Sequence, residues 1–471
     1  MKKISAILLI VCIILCITLP VSATQTQDNS IQAGCNTLDG MVTFLGKSQL
    51  INNAESVLLY EVTTDTLMYD YQPDLQVYPA SLVKILTALI AIEKGTMTDA
   101  VTVREDVLNT VPDDAMGVDL VVDEVLSVED LLACMLVGSA NDAAAVLADH
   151  IMGSQQAFVD EMNRYAQQLG CVNTQFTNVH GLHNDQQYTT ARDVCRFFTH
   201  ALSNETFREM FGTVEYTVPA TNKSESRKLS SGNYLINRNN TDNVEIYYDS
   251  RVTGSRTGIT TDGKRCIASV AESNGLTLIS IVLGSRSFYR DDGYSVSSFG
   301  GYKETTDLLD LGFTGFKTAQ IFVEGGALQQ LAVQNGQEDV VIGTHVSAAS
   351  VLPEDADGNT LIYRYGEIGN LSAPIKKGEK ISYVEVWSGT VCVARADLFA
   401  LNSVRVSQPL EVDEPNGTLM PKIGNTLLII LGILFCVIIL AFVILCIIRG
   451  ARIASIKKRS RRHSRNRRRS W

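Results

Sequence analysis

The sequence lacks the paired cysteines and histidines that hold structural zinc. Ten cysteines occur in 471 residues, and four of them lie in two apolar terminal segments. The other six are scattered, with no Cys-x-x-Cys pair and no suitably spaced histidine: Cys35, Cys134, Cys171, Cys195, Cys266 and Cys392. We therefore expect no metal site and no other cofactor. Whether disulfides form is left open, because the sequence does not choose among the possible pairings. For most of these cysteines we expect buried thiols.

Charge is missing from one long stretch near the C-terminus. Residues 423–448 contain no charged side chain, and a helix of this length can cross a bilayer. The next stretch, 449–471, holds eleven Lys or Arg and no Asp or Glu. Because cationic flanks stay in the cytosol, the uncharged stretch followed by the basic stretch predicts a transmembrane helix and a basic cytoplasmic tail. A nucleic-acid-binding tail is the alternative, and anionic lipid head groups could also bind there.

The N-terminus has little charge after its first residues. Lys2 and Lys3 precede an apolar run over residues 4–19, and small residues lead to Ala23. This order predicts a secretory signal peptide over residues 1–23, cleaved after Ala23. An uncleaved anchor helix is the alternative, although the run is short for a span. Both ends indicate a single-pass protein of the cell membrane, with an extracellular main part and a cytoplasmic tail.

Acidic residues dominate what remains. The chain carries a formal charge of −11, and setting aside the eleven cations of the tail with Lys2 and Lys3 leaves −24 for residues 24–422. An acidic exterior argues against a nucleic acid or another anionic polymer as partner. A solvated surface is sufficient to explain the same excess.

Hydrophobic periodicity predicts an α/β domain over residues 35–316. Its predicted elements are a hairpin over 56–70, an almost wholly apolar helix over 80–95, helices over 127–136, 141–151 and 155–169, a hairpin over 265–283 with Asn274-Gly275 at its turn, and a last helix over 302–311 ended by Gly312. Short β-like stretches over 317–410 predict a separate all-β domain, and 411–422 a polar linker.

Ser81-Leu-Val-Lys84 lies at the start of the apolar helix. Residues three apart share a helix face, so the two side chains should be neighbours. A serine hydroxyl needs a base to become a good nucleophile, and a lysine can be that base when burial or a nearby cation lowers its pKa. Alone the pattern is weak, since Ser455-Ile-Lys-Lys458 in the tail matches it by chance.

Two further motifs follow. Ser139-Ala-Asn141 lies between two predicted helices, where a hydroxyl and a carboxamide can relay a proton and hold a substrate amide, or simply cap a helix. A second match, Ser231-Gly-Asn233, lacks that helical context. Arg256-Thr-Gly258 precedes a strand and supplies a cation and a hydroxyl that could bind a substrate. The alternative is that this segment is an ordinary turn.

In this order the three motifs resemble those of penicillin-recognising serine enzymes. The flanks Tyr78-Pro-Ala-Ser, Val137-Gly-Ser-Ala-Asn-Asp and Phe176-Thr-Asn-Val-His-Gly-Leu are similar to D-alanyl-D-alanine carboxypeptidases, the low-molecular-mass penicillin-binding proteins, from about Glu55 to Phe316. The resemblance implies a mixed α/β fold, a serine β-lactamase/transpeptidase-like α-β-α sandwich, followed by an all-β domain and a C-terminal transmembrane helix.

The resemblance also implies the catalytic roles. Ser81 would attack the carbonyl of the penultimate D-Ala of a peptidoglycan stem peptide and release the terminal D-Ala. Lys84 would accept the serine proton, and Ser139 would pass protons. Water would then hydrolyse the acyl-enzyme, and β-lactam antibiotics would be covalent inhibitors.

Substrate binding is implied in the same way. Asn141 would position the peptide, and Thr257 and Arg256 would bind its terminal carboxylate beside Gly258. The backbone N–H groups of Ser81 and Ile259 would form the oxyanion hole.

The sequence departs from the family pattern at two places. Arg256 stands where the family usually has Lys; it keeps the charge but cannot deprotonate. The segment beginning at Met116 also differs from the small-residue pattern expected there. These departures leave open a catalytically weak or inactive wall-binding protein. A D,D-endopeptidase or a β-lactamase on the same fold is another alternative, although no Glu-x-x-x-Asn segment supplies a deacylating glutamate.

Overall fold

The computed structural model describes residue 38, residues 53–239, 247–289, 296–356 and 360–407, and residues 433–435, 437–441 and 444. It divides the chain into two units, Met1–Ser407 and Gln408–Trp471. The predicted signal peptide, linker and basic tail lie outside the described residues.

The first part of the larger unit alternates strands and helices. Its strands are β1 Ser56–Glu61, β2 Thr66–Tyr71, β3 Ala100–Thr102, β4 Val125–Ser127, β5 Glu215–Val218, β6 Arg227–Ser230, β7 Val252–Ile259, β8 Arg265–Ser273, β9 Leu276–Ser285, β10 Phe288–Tyr289 and β11 Val296–Ser298. Its helices are α1 Val83–Lys94, α2 Glu105–Leu108, α3 Val128–Leu136, α4 Asn141–Met152, α5 Gln155–Gln168, α6 Ala191–Leu202, α7 Glu205–Gly212 and α8 Gly300–Gly315.

An antiparallel sheet of five strands, in the order β2-β1-β9-β8-β7, forms the centre. Side chains of β1 alternate between its faces, so Leu58 and Tyr60 join one apolar cluster and Val57 and Leu59 join another. Helix α8 covers the second face, while α1 and α3 to α7 pack into the first cluster. The sheet therefore lies between two helical layers.

Both predicted hairpins are confirmed. At the turn between β8 and β9, Asn274 and Gly275 have φ angles of 53° and 76°, which a two-residue hairpin turn of this kind requires. Ser127 caps α3 by accepting a hydrogen bond from the Asp130 amide, as its position before the predicted helix indicated.

The predicted end of the last helix at Gly312 is wrong. Helix α8 continues to Gly315, and Gly312 lies against the sheet. A Cβ at this position would lie 2.4 Å from Cδ1 of Leu278 and 3.2 Å from Cδ2 of Leu59. The glycine therefore permits close packing of helix on sheet.

A β-domain follows directly. Its strands are β12 Phe316–Phe322, β13 Ala327–Leu331, β14 Val340–Gly343, β15 Ala348–Pro353, β16 Leu361–Tyr365, β17 Lys380–Ser388 and β18 Val391–Ala400. Strands β12 and β15 pair with each other, and the others form a sheet in the order β13-β14-β18-β17-β16. Side chains such as Ile342, Val384 and Leu398 build its own apolar core. The C-terminal β-domain expected from composition is thus confirmed.

The residues described in the smaller unit, 433–435, 437–441 and 444, are helical. Within the described part of the chain, no helix has both the length and the apolar character needed to cross a membrane. The predicted span over 423–448 falls mostly on residues outside that part.

Four cysteines that the structure describes in the α/β part lie inside the core. Cys134, Cys171, Cys195 and Cys266 are buried thiols, and burial raises the pKa of each to about 12. Protonated thiols of this kind pack as small apolar side chains and are poor nucleophiles.

Candidate active site

Ser81 lies in a single 3₁₀ turn, Ala80–Leu82, immediately before helix α1. The turn begins from Ala80 with a φ of 48°, in the left-handed region that non-glycine residues seldom adopt. Ser81 opens onto a cavity of about 600 Å³. The cavity wall brings together every predicted site residue except Lys84: Ser81, Ser139, Asn141, Arg256, Thr257, Gly258 and Ile259.

Two glycines allow the chain to approach the Ser81 amide. A Cβ on Gly258 of strand β7 would lie 2.5 Å from the Ser81 nitrogen. Gly181 has a φ of 92°, and a Cβ there would lie 2.0 Å from the Ala80 carbonyl oxygen. Only glycine fits at either place, so the sequence motif containing Gly258 fixes the distance between β7 and the serine turn.

Replacing Gly258 with Ala is expected to reduce acylation of the enzyme by about 100-fold, because displacing the serine turn by even a fraction of an ångström misaligns the nucleophile. The measurement is the rate of covalent labelling by a fluorescent penicillin. Gly369→Ala is the matched control, since a Cβ at Gly369 meets no atom within 4 Å. Wild-type labelling by Gly258→Ala would show that this close approach is dispensable.

Lys84 is fully buried beneath Ser81 on helix α1. Its Nζ lies 3.3 Å from Ser81 Oγ and donates hydrogen bonds to Asn141 Oδ1 and the His180 carbonyl, each at 2.6 Å. Burial, and then the nearby positive charge of Arg256, hold the Lys84 pKa well below its usual value, while Asp142 opposes the shift. A lowered pKa favours the neutral form of the amine, and this is the form that a general base next to a serine hydroxyl requires.

The second motif surrounds the start of helix α4. Ser139 has a φ of 61°, and the Asn141 amide donates to the Met116 carbonyl at 2.8 Å. The buried Asp142 carboxylate accepts from the amides of Val118 and Leu120, at 3.1 and 3.2 Å. The unusual segment at Met116 is therefore fastened to α4, and it contributes Met116 to the cavity wall.

Arg256 is buried, and its guanidinium faces the second motif. Nη1 donates to the Leu136 carbonyl at 2.5 Å and Nη2 to Ser139 Oγ at 3.0 Å. Burial lowers its pKa to about 10, so it remains charged at neutral pH. Two of the three guanidinium nitrogens thus hold protein groups, while the carboxylate-binding role implied by the resemblance stays a prediction.

Replacing Arg256 with Gln is expected to move the acid limb of the acylation rate to higher pH. The Arg256 charge lowers the Lys84 pKa, so its removal raises that pKa, and the neutral amine then forms only at higher pH. Arg256→Lys keeps the charge and should retain the wild-type limb. The check is the penicillin labelling rate against pH, with thermal unfolding to verify the fold. An acid limb that Arg256→Gln leaves unmoved would contradict this role.

Sequence reasoning missed several contributors to the site. The His180 carbonyl is a Lys84 partner, and burial next to Lys84 lowers the His180 pKa to about 3. Ser231 and Asn233, set aside for lack of helical context, line the cavity. Asn233 Nδ2 donates to Ser255 Oγ at 2.9 Å, which ties this loop to β7. Arg265 also lines the cavity. Ser455, the chance match, lies outside the described residues.

The fold and the cavity, with the buried Lys84 beside the Ser81 hydroxyl, are those expected of a serine hydrolase. A family model described as D-alanyl-D-alanine carboxypeptidase matches residues 45–287, and one described as penicillin-binding protein 5, C-terminal domain, matches residues 316–406. The chain belongs to the D-alanyl-D-alanine carboxypeptidase family and is a serine-type hydrolase.

Individual relatives agree with the family models. D-alanyl-D-alanine carboxypeptidase DacA of Haemophilus influenzae is 30% identical over 363 residues, which cover 74% of this chain and 85% of the relative. DacF of Bacillus subtilis is 27% identical over 343 residues, covering 71% and 81%. The crystal structure of penicillin binding protein 5 from Haemophilus influenzae aligns with a TM-score of 0.59 at 28% identity, covering 77% of this chain and 99% of that one.

Proposed function

We propose that the protein removes the terminal D-Ala from peptidoglycan stem peptides ending in D-Ala-D-Ala, with Ser81 as nucleophile and Lys84 as its base. The observation that carries this proposal is the fully buried Lys84 amine 3.3 Å from Oγ of Ser81, which lines a cavity of about 600 Å³. A cavity of this size accommodates a short peptide end.

Acylation begins when Lys84 takes the Ser81 proton and Oγ attacks the carbonyl carbon of the penultimate D-Ala. The backbone N–H groups of Ser81 and Ile259 stabilise the resulting oxyanion. The C–N bond then breaks, and the leaving amine takes a proton passed through Ser139, so that D-Ala departs. Water hydrolyses the ester and restores the Ser81 hydroxyl.

The wall of the cavity orients the peptide during these steps. Asn141 both accepts from Lys84 and faces the cavity, so its carboxamide can align the substrate amide. Thr257 meets the terminal carboxylate, and Arg256 adds its charge from beneath Ser139. A β-lactam ring would acylate Ser81 by the same attack, which makes these antibiotics covalent inhibitors.

Two measurements on the purified protein test the proposal. Covalent labelling by a fluorescent penicillin reports acylation, and release of D-alanine from a pentapeptide ending in D-Ala-D-Ala reports turnover. We expect both. Labelling without D-alanine release would favour the weakly active, wall-binding alternative. Cleavage of cross-linked peptides without D-alanine release from the pentapeptide would favour an endopeptidase. Absence of labelling would refute an acyl-enzyme.

We also propose an exported, single-pass arrangement. Residues 1–23 are a signal peptide, 35–316 the catalytic domain, 317–410 the β-domain, 411–422 a linker and 423–448 a membrane helix. The eleven cations in 449–471 support a cytoplasmic tail. An epitope tag after Trp471 should bind antibody only in permeabilised cells, and binding in intact cells would refute this orientation.

A further inference from the structure

Hydrolysis of the acyl-enzyme needs a base that can reach water, and Lys84 is poorly placed for this step. Its amine is fully buried, donates to Asn141 Oδ1 and the His180 carbonyl, and is not part of the cavity wall. Ser81 opens onto the cavity, so water that attacks its ester arrives from that side. A proton acceptor on the cavity wall would therefore serve hydrolysis separately from acylation.

Among the described residues of the cavity wall, two carry a side chain that can accept a proton from water: Asp114 with its carboxylate and His183 with its imidazole. The arginines of the wall, Arg256 and Arg265, keep their protons. Asp114 lies two residues before Met116, on the segment fastened to helix α4. His183 lies on a different loop, which contacts the serine turn directly.

Two contacts place His183 beside the serine turn. Gly181, two residues earlier, approaches the turn so closely that a Cβ there would lie 3.0 Å from the Ser81 nitrogen. The imidazole packs edge-on against the ring of Tyr78, with ring centres 4.6 Å apart and planes at 75°. Tyr78 precedes Ser81 by three residues. The loop and the ring of His183 are therefore both held against the segment that carries the nucleophile.

A carboxylate orients the imidazole. Nε2 of His183 lies 3.1 Å from Oδ1 of Asp185. Because an ionised carboxylate only accepts hydrogen bonds, this contact places the ring proton on Nε2 and leaves a lone pair on Nδ1. Within the part of the chain that the structure describes, Nδ1 has no hydrogen-bond partner. An imidazole oriented by a third group, with its other nitrogen open, is the arrangement of a general base.

We infer that His183 is the general base of deacylation and that Asp185 orients its ring. This inference rests on the proposed function and adds a catalytic residue outside the three motifs. Nδ1 takes a proton from a water molecule while the water oxygen bonds to the acyl carbon of the Ser81 ester. As the bond from that carbon to Oγ breaks, His183 returns the proton to Oγ. The products are the free serine and the shortened peptide acid.

The test is a rapid-quench assay with a pentapeptide ending in D-Ala-D-Ala. For His183→Gln, we expect the first D-alanine to be released at the wild-type rate and the acyl-enzyme, followed by intact mass, to decay about 100-fold more slowly. General-base catalysis contributes about 10²- to 10⁴-fold, and a burst with an accumulating acyl-enzyme is the kinetic sign of slow deacylation. Glutamine keeps a donor for Asp185 but cannot take a proton.

Hydroxylamine separates a base from a structural role, because it attacks an ester without help from a base. It should release the acyl group from His183→Gln and from the wild-type protein at similar rates. His200→Gln is the matched control. His200 also lies near a carboxylate, Glu93 at 3.9 Å, and near the ring of Tyr165 at 5.9 Å, but it does not line the cavity. His200→Gln and Asp114→Asn should both deacylate like the wild-type protein.

Wild-type deacylation by His183→Gln would overturn the inference, and so would a deacylation defect found in Asp114→Asn in its place. An acyl-enzyme of His183→Gln that resists hydroxylamine would overturn it as well, since His183 would then only shape the cavity. Failure of the proposed function itself would look different, because the wild-type protein would then form no acyl-enzyme and release no D-alanine.

Discussion

Replacing Ser81 with Ala is expected to abolish covalent labelling by penicillin and to lower D-alanine release by at least about 10⁴-fold. The alanine variant lacks the oxygen that forms the ester, so no neighbouring group can rescue the acyl-enzyme. The change removes one oxygen from a small side chain in a 3₁₀ turn and should leave the fold intact. Labelling after denaturing electrophoresis, alongside a D-alanine assay, gives both readings.

Ser455→Ala is the matched control for this experiment. Ser455 begins the other Ser-x-x-Lys match in the chain, within the basic tail. The Ser455→Ala variant should be labelled by penicillin and should release D-alanine like the wild-type protein. Persistent labelling of Ser81→Ala, or its loss in Ser455→Ala, would show that the nucleophile had been assigned to the wrong residue.

Replacing Lys84 with Met is expected to slow acylation by about 10²- to 10⁴-fold, the range that general-base catalysis supplies. Methionine matches the length of the apolar stem but cannot take the Ser81 proton. Lys84→Arg should slow acylation by a similar factor, because arginine keeps a positive charge and does not deprotonate. The initial rate of penicillin acylation measures both.

Lys94→Met controls for loss of a lysine from the same helix. Lys94 is partly exposed at the end of α1 and pairs with Glu161 at 2.9 Å, away from the cavity. It should acylate at the wild-type rate. If Lys84→Arg retained full activity, Lys84 would act through its charge alone, and the base would have to be sought elsewhere.

The local parts of the site could be predicted from the sequence. Ser81 lies in the 3₁₀ turn that leads into helix α1, and Lys84 lies three residues later in the first turn of α1, so their contact follows from local helical geometry. The partners that complete the site could not be predicted this way. The His180 carbonyl is 96 residues from Lys84 along the chain, and Leu136 is 120 residues from Arg256. Such contacts depend on how helices α1, α3 and strand β7 pack, which periodicity does not encode.

In the fold, too, local features could be predicted from the sequence and long-range packing could not. Asn274-Gly275 has a specific turn chemistry, and its hairpin was predicted correctly. Gly312 was misread because a glycine that ends a helix and one that lets a helix pack on a sheet look alike in sequence. Helix α6 was overlooked, although Thr190 caps it by accepting from the Asp193 amide at 3.1 Å. That capping pattern was a usable signal.

Mass spectrometry of the acyl-enzyme tests the central claim most directly. The full-length protein, quenched in acid shortly after mixing with a penicillin, should carry one penicilloyl group on the peptide that contains Ser81. Brief exposure to a D-Ala-D-Ala pentapeptide should place the matching acyl group on the same residue. An adduct on any other residue, or D-alanine release with Ser81 never modified, would contradict the assignment of Ser81 as nucleophile.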